Sequence, residues 1–228
     1  MTAALFVALV AVVFALFAYA ALKTSERRHG VDRAGLGILA LVVAGWLLIP
    51  AALANQGALD RYNPLPAPAL LVVLAVTIGT VTLALSSFGA RLASALPLAG
   101  LVGFQVFRVP VEWLLHRLYL EGVLPIQMTY AGLNFDIATG VTGAAIGLWL
   151  WAGGRSRVLV MAWNILGLLL LANIVTIAVL STPVPFRQFM NDPPNLLPSM
   201  FPYVWLPTFL VQAAIFGHLL VFRALRLN

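Results

Sequence analysis

At 228 residues and 24.4 kDa, with 62% of its side chains hydrophobic and 9% charged, the chain departs from a soluble composition. Soluble domains are about 45–50% apolar and about 25% charged, and so few charges cannot cover so much apolar side chain in water. The composition reads as an all-α polytopic membrane protein forming one bundle over residues 1–228, and the absence of cysteine excludes disulfides, thiolate metal sites and cysteine nucleophiles.

A membrane-crossing helix needs about 20 mostly apolar residues. Seven stretches qualify: 2–22, 36–54, 67–86, 96–120, 135–151, 158–180 and 203–222, of which the fifth is the shortest. Short polar connections with turn residues such as Gly153-Gly154 and Asn63-Pro64 separate most of them. Ala18-Tyr19-Ala20 mimics a signal-peptide cleavage site. A signal peptide, however, carries its positive charge before the apolar core. Here Lys23, Arg27, Arg28 and Arg33 follow the core, which favours an uncleaved first helix with its N-terminus outside.

The remaining cations agree with that orientation. Connections and tails after spans one, three, five and seven hold Lys23, Arg27, Arg28, Arg33, Arg91, Arg155, Arg157, Arg223 and Arg226. The opposite side holds Arg61, Arg117 and Arg187. The bias predicts seven spans, N-terminus out and C-terminus in, by the positive-inside rule. The net charge of +6 is thereby assigned to topology and anionic lipid headgroups rather than to nucleic acid. Twelve arginines against one lysine point to a GC-rich bacterium, and no glycosylation sequon or lipidation motif is present. A bacterial inner membrane is the simplest location. No pattern relates spans one to three with spans five to seven, so a repeat-built transporter gains no support.

Span four differs from the others in polarity. With Gln105 at 0° and about 100° per residue, Arg108 falls near −60°, Glu112 near −20° and His116 near 20°. The four share one stripe, and Arg108 with Glu112, and Glu112 with His116, are i,i+4 neighbours able to pair. A charge at the bilayer centre costs at least about 2.5–3.5 kcal/mol, so the stripe should face protein or a polar cavity. Pro110 removes the helical donor to the Val106 carbonyl and predicts a kink between Arg108 and Glu112. The topology places Asn134 and Asp136 at the start of span five and Asn173 and Thr176 in the outer half of span six. Thr208 falls in the outer half of span seven, with Gln212 near its middle. These define an expected polar pocket, open to the outside, between spans four to seven. The competing reading is an ion-pair network that pins the bundle.

The connection 181–202 is the longest, and six prolines prevent it from forming one helix. Phe186, Phe189, Met190 and Phe201 predict that it packs onto the bundle or the interface, either as a lid bearing Arg187 and Asp192 or as a plug. Residues 121–133 would complete the roof. Gly143 and Gly147 have GxxxG spacing, which suits close packing inside the bundle or a homodimer face.

Several chemistries are excluded by residue type. A retinal Schiff base needs a lysine in a span, and the single lysine, Lys23, lies in a connection. Three histidines are too few for a membrane desaturase or a three-histidine zinc hydrolase. No HExxH or GxSxG occurs, and Asp136 is the only aspartate at a span, against an aspartyl protease. By depth, His116 lies about 6 Å from the end of its span and His218 about 22 Å down its own, which disfavours a haem between them. His218 reads as a hydrogen-bonded packing residue. Glu112, His116 and Asp136 could act as acid–base groups or as ligands to a divalent metal. No particular cofactor is indicated.

Three stretches carry a family resemblance: Phe107-Arg108-Val109-Pro110-Val111-Glu112 on to His116, Asn134-Phe135-Asp136-Ile137, and Phe201-Pro202-Tyr203-Val204-Trp205-Leu206-Pro207. They resemble those of a family of small bacterial seven-helix membrane proteins to which no activity is assigned. The resemblance covers about half the chain, spans four to seven, and implies no chemistry. The functional expectation is therefore binding or transport of a small molecule, with Gln105, Arg108, Asn134, Asn173, Gln212 and Arg187 as contacts. An intramembrane enzyme using Glu112, His116 and Asp136, and a membrane-complex subunit without its own site, are the alternatives.

Overall fold

The computed structural model describes residues 1–29, 33–63 and 65–227, and the side chains of all of these except 25–29, 33–41 and 43. Arg27, Arg28 and Arg33 of the orientation argument, and Pro64 of the Asn63-Pro64 turn, lie outside the described groups. Among the described residues the chain is helical and no strand forms. The helices are α1 (Thr2–His29), α2 (Arg33–Asn55), α3 (Pro68–Leu85), α4 (Ser87–Ala95), α5 (Leu98–Gly103), α6 (Arg108–Leu120), α7 (Ile137–Trp151), α8 (Arg157–Leu180) and α9 (Val211–Leu227).

Among the described residues, five stretches are long and apolar enough to cross a membrane: Thr2–Thr24, Pro68–Leu85, Leu98–Leu120, Arg157–Leu180 and Leu206–Leu227. Their exposed apolar side chains, such as Leu74, Ile78, Leu166 and Leu169, are those of a membrane protein rather than a water-soluble one. The expectation of seven full spans is met only in part. The apolar described part of α2 is Ala44–Asn55, and α7 has 15 residues. Fifteen residues rise about 22 Å, short of a hydrocarbon core of about 30 Å. The reason lies at both ends of α7. Asp136 begins it, and Gly153, at φ 99°, turns the chain out at the other end.

Span four departs from α geometry before Pro110 rather than between Arg108 and Glu112. Residues Phe104–Phe107 form a 3₁₀ turn joining α5 to α6. Pro110 has no N–H for the Val106 carbonyl, so the preceding turn is the one released from α geometry. A second irregularity opens α9. Leu206–Leu210 form a π-turn containing Pro207, and Gln212 Nε2 donates to the Pro207 carbonyl at 2.8 Å. The same turn anchors α2: Trp46 Nε1 donates to the Thr208 carbonyl at 2.7 Å and Trp205 Nε1 to the Leu47 carbonyl at 2.9 Å.

Two apolar clusters divide the bundle interior. One gathers Phe6 and Val10 of α1, Val111 and Leu115 of α6, Leu171 and Ile174 of α8, and Ala213 of α9. The other gathers Leu101 and Val102 of α5, Val160 and Trp163 of α8, and Phe216 and Leu220 of α9. Along α8 the change from one cluster to the other leaves Asn164 and Gly167 between them. Gln105 falls at the corresponding change between α5 and α6. The polar side chains converge at that boundary.

The connections at one end form a roof. Gln127 Nε2 donates to Ser181 Oγ at 3.0 Å, tying segment 121–136 to segment 181–202. Asn195 N donates to the Ser181 carbonyl at 2.8 Å. The expected apolar anchors are revised by the packing. Phe186, Met190 and Phe201 are exposed, whereas Val184 and Leu197 are buried and Phe189 is partly buried. Beneath the roof, Tyr62 donates its O–H to Ser199 Oγ at 3.1 Å, and burial pushes its phenol up from the ordinary value.

Candidate functional site: a buried polar centre

Arg108, the first residue of α6, is 2% exposed and forms the middle of the site. Its Nε donates to Asp136 Oδ2 at 2.6 Å and its Nη2 to Asp136 Oδ1, a two-pronged ion pair. Nη2 also reaches the Gly167 carbonyl at 3.4 Å, and Nη1 lies 2.9 Å from His218 Nε2. A guanidinium has donors only, so His218 Nε2 must be the acceptor and its proton sits on Nδ1. Nδ1 then donates to Asn164 Oδ1 at 2.7 Å, and Asn164 Nδ2 donates to the His218 carbonyl at 3.1 Å. Every contact in this set is consistent with a neutral imidazole.

A second branch runs toward the roof. Glu112, one turn beyond Arg108, accepts from Asn134 Nδ2 at 2.6 Å. The same amide donates to the Met128 carbonyl at 3.1 Å, and Asn134 Oδ1 accepts the backbone N–H of Asp136 at 3.0 Å. Asn134 therefore links the Glu112 carboxyl to the residue that grips Arg108. Asn134, Asn164 and His218 are fully buried, and Glu112 and Asp136 are at most 4% exposed.

Glycines make the room for these side chains. A Cβ at Gly167 would lie 2.5 Å from His218 Cε1, and one at Gly217 would lie 2.5 Å from Gln105 Nε2. One at Gly140 would lie 2.8 Å from Val109 Cγ2 and 3.3 Å from Arg108 Cβ. Gly143 faces Trp163 and Gln105, and a Cβ at Gly147 would lie 2.8 Å from the Gly103 Cα. The GxxxG element thus packs α7 onto α5 within its own chain. A homodimer through Gly143 and Gly147 would need this contact to open.

The structure assembles only part of the predicted set. The stripe on span four does not pair along itself, because Arg108 turns to Asp136 rather than Glu112. His116 stays apart, half-buried, with its ring stacked on Tyr130 at 4.6 Å and tilted against Tyr119. Among the described residues no three His, Asp or Glu side chains meet as a metal site, so Glu112, His116 and Asp136 do not form the ligand set considered above. Gln105 is fully buried beside the centre and donates to the Ala214 carbonyl at 3.1 Å. Asn173 Nδ2 donates to the Leu133 carbonyl at 2.9 Å, outside the centre. Gln212 turns to α3, donating to Thr77 Oγ1 at 3.0 Å. Arg187 serves its own connection, donating to the carbonyls of Phe189 at 2.7 Å and Asn191 at 2.5 Å.

His218 and Asn164 are the members that sequence reasoning left out. His218 was compared in depth with His116. Arg108 lies about 18 Å below Leu120, far closer to the depth of His218. An intramembrane histidine at the depth of an intramembrane arginine was the available signal. Comparison with protein families, curated proteins and solved structures finds no match for this chain.

Proposed function

We propose that the chain is a multi-pass protein of a bacterial inner membrane, crossing seven times with its N-terminus outside and its C-terminus inside. In this reading it binds or transports a small polar molecule at the centre between span four (α5–α6), α7, α8 and α9. One observation carries the proposal: Arg108, Asp136 and His218 meet from three segments inside an apolar bundle, each at most 4% exposed. Intramembrane ionisable groups are costly and mark ligand or ion paths by default. The centre is closed over by the roof, so binding requires segments 121–136 and 181–202 to part at the Gln127–Ser181 contact.

Native mass spectrometry of the purified full-length chain tests binding. A retained small molecule in the wild type that is absent from D136N supports the reading. A ligand-free wild type, with D136N merely destabilised, favours the second reading, a pin that fixes helix packing. Full pairing of the Arg108 fork is the observation behind that second reading. Topology is tested separately, because the chain has no native cysteine to interfere. Single cysteines at Gly122 and Asn191 should react with an impermeant maleimide from outside, and one at Arg155 only after permeabilisation. The reverse pattern would invert the orientation.

A further inference from the structure

The formal charges of the centre do not balance. Arg108 supplies one positive charge, Asp136 and Glu112 two negative ones, and His218 is neutral by its contacts. Asp136 takes the guanidinium fork through two nitrogens, while the Gly167 carbonyl and His218 take two further N–H groups of Arg108. Glu112 receives only a neutral amide, and that amide is shared with the Met128 carbonyl. Around it, Val111, Leu114 and Leu115 are buried, as are Phe6 and Val10 of α1 in the same cluster.

The other charged and titratable groups near α6 are engaged elsewhere. Arg117 and Glu121, at the far end of the helix, lie 3.9 Å from each other and are partly exposed, and Thr2 of α1 donates to Glu121. His116 stacks on Tyr130. From α7 the facing group is Asp136, an acid, and from α9 it is His218, occupied by Arg108 and by Asn164 of α8. Water exclusion around a carboxylate without its own cation is strongly unfavourable.

We propose that Glu112 is a proton-binding site: the bundle closes around a protonated Glu112 carboxyl group and releases that proton when the polar centre opens. The step balances simply. On opening, the carboxyl O–H bond breaks, its electron pair stays on the carboxylate, and the proton passes to entering water. On closure the reverse occurs. Asn134 couples this to Arg108, since it touches the Glu112 carboxyl and holds the Asp136 backbone N–H. A displacement of Asn134 that admits water to Glu112 also loosens the grip of Asp136 on Arg108. The inference deepens the binding reading above and rests on it for the opening step, but the protonated closed state can be measured alone.

Infrared spectroscopy of the full-length chain in lipid nanodiscs at neutral pH provides the test. The wild type should show the carbonyl stretch of a protonated carboxyl group, lost in E112Q and retained in E121Q. Absence of the band in the wild type, or its survival in E112Q, overturns the proposal. Thermal unfolding is the second readout. E112Q should unfold at or above the wild-type temperature and E112A below it. The wild-type midpoint should fall as pH is raised, while that of E112Q should not. If E112Q fails to fold, or loses as much as E112A, Glu112 is a structural anion and the proposal fails. Those results leave ligand retention untouched, and a ligand-free wild type leaves the infrared band untouched, so the two readings fail separately.

Discussion

Helices α1–α3 and α6–α9 solve the same solvent problem in different ways. In the first group, threonine hydroxyls donate within their own helix: Thr24, Thr77 and Thr80 each donate to the carbonyl four residues earlier, at 2.8 Å. In the second, the side chains of Arg108, Asp136, Asn164 and His218 find their partners across segments, and Asn134 reaches across to Glu112 as well as bonding within its own connection. A hydroxyl is small enough to fold back on its own backbone. A guanidinium or carboxylate is not, so its position dictates how neighbouring helices pack. The threonine bonds of α1 and α3 are therefore indifferent to tertiary structure, whereas Trp46 of α2 and the polar centre at α6–α9 depend on it.

The strongest way to break this contrast is to remove one side of the ion pair. R108M should lower stability by about 3–5 kcal/mol, because Asp136 is left as a buried unpaired charge. R108M combined with D136L should recover most of the loss, since apolar side chains of similar size replace a buried pair at little cost. Denaturant titration in mixed micelles measures both, and an R108M chain as stable as wild type would remove the ion pair from any structural role. Next in size is G167A. Its Cβ would crowd His218 Cε1 at 2.5 Å and Thr139 Cγ2 at 2.7 Å, for an overpacking cost of about 1–3 kcal/mol.

W46F probes the junction between the two groups. It removes the indole donor to the Thr208 carbonyl and should cost about 0.5–1.5 kcal/mol in the same titration. A neutral result would mean that the Trp46 bond does not hold α2, leaving the Trp205 bond to the Leu47 carbonyl and apolar packing. The smallest effect belongs to T80V, where the side-chain bond is local and no partner is left unsatisfied. It should stay within about 0.5 kcal/mol of wild type, and a larger loss would show that α3 depends on long-range polar contacts after all.

Much of the site was legible residue by residue. Glu112, Arg108, Asn134 and Asp136 stand out because charged and amide groups are rare in so apolar a chain, and their burial follows from that rarity. Their pairing was not legible. The i,i+4 spacing of Arg108 and Glu112 invites a local pair, yet the fork of Arg108 reaches Asp136, 28 residues away, where two oxygens can meet two nitrogens. Gln212 was assigned to the pocket by depth, and Arg187 by its place on the connection 181–202. Depth along a helix axis leaves rotation undetermined, and rotation sends Gln212 to Thr77. His218 reads from the sequence as a hydrogen-bonded packing residue, which it is, but its partners Arg108 and Asn164 lie on other segments and emerge only from the packing.

By itself the sequence determined the solvent and the helical class, because apolar content and charge scarcity act through composition and need no partner. It also marked the turn at Gly153 and an irregularity near Pro110, which act on their own backbone, whereas the place of the latter and the π-turn at Pro207 came from the structure. Only the tertiary structure decided which polar groups meet. Hydrogen bonds between helices depend on rotation, on the closeness that Gly140, Gly167 and Gly217 permit, and on the short α7 that brings Asp136 to the level of Arg108. Those are relations between segments, and no single segment contains them.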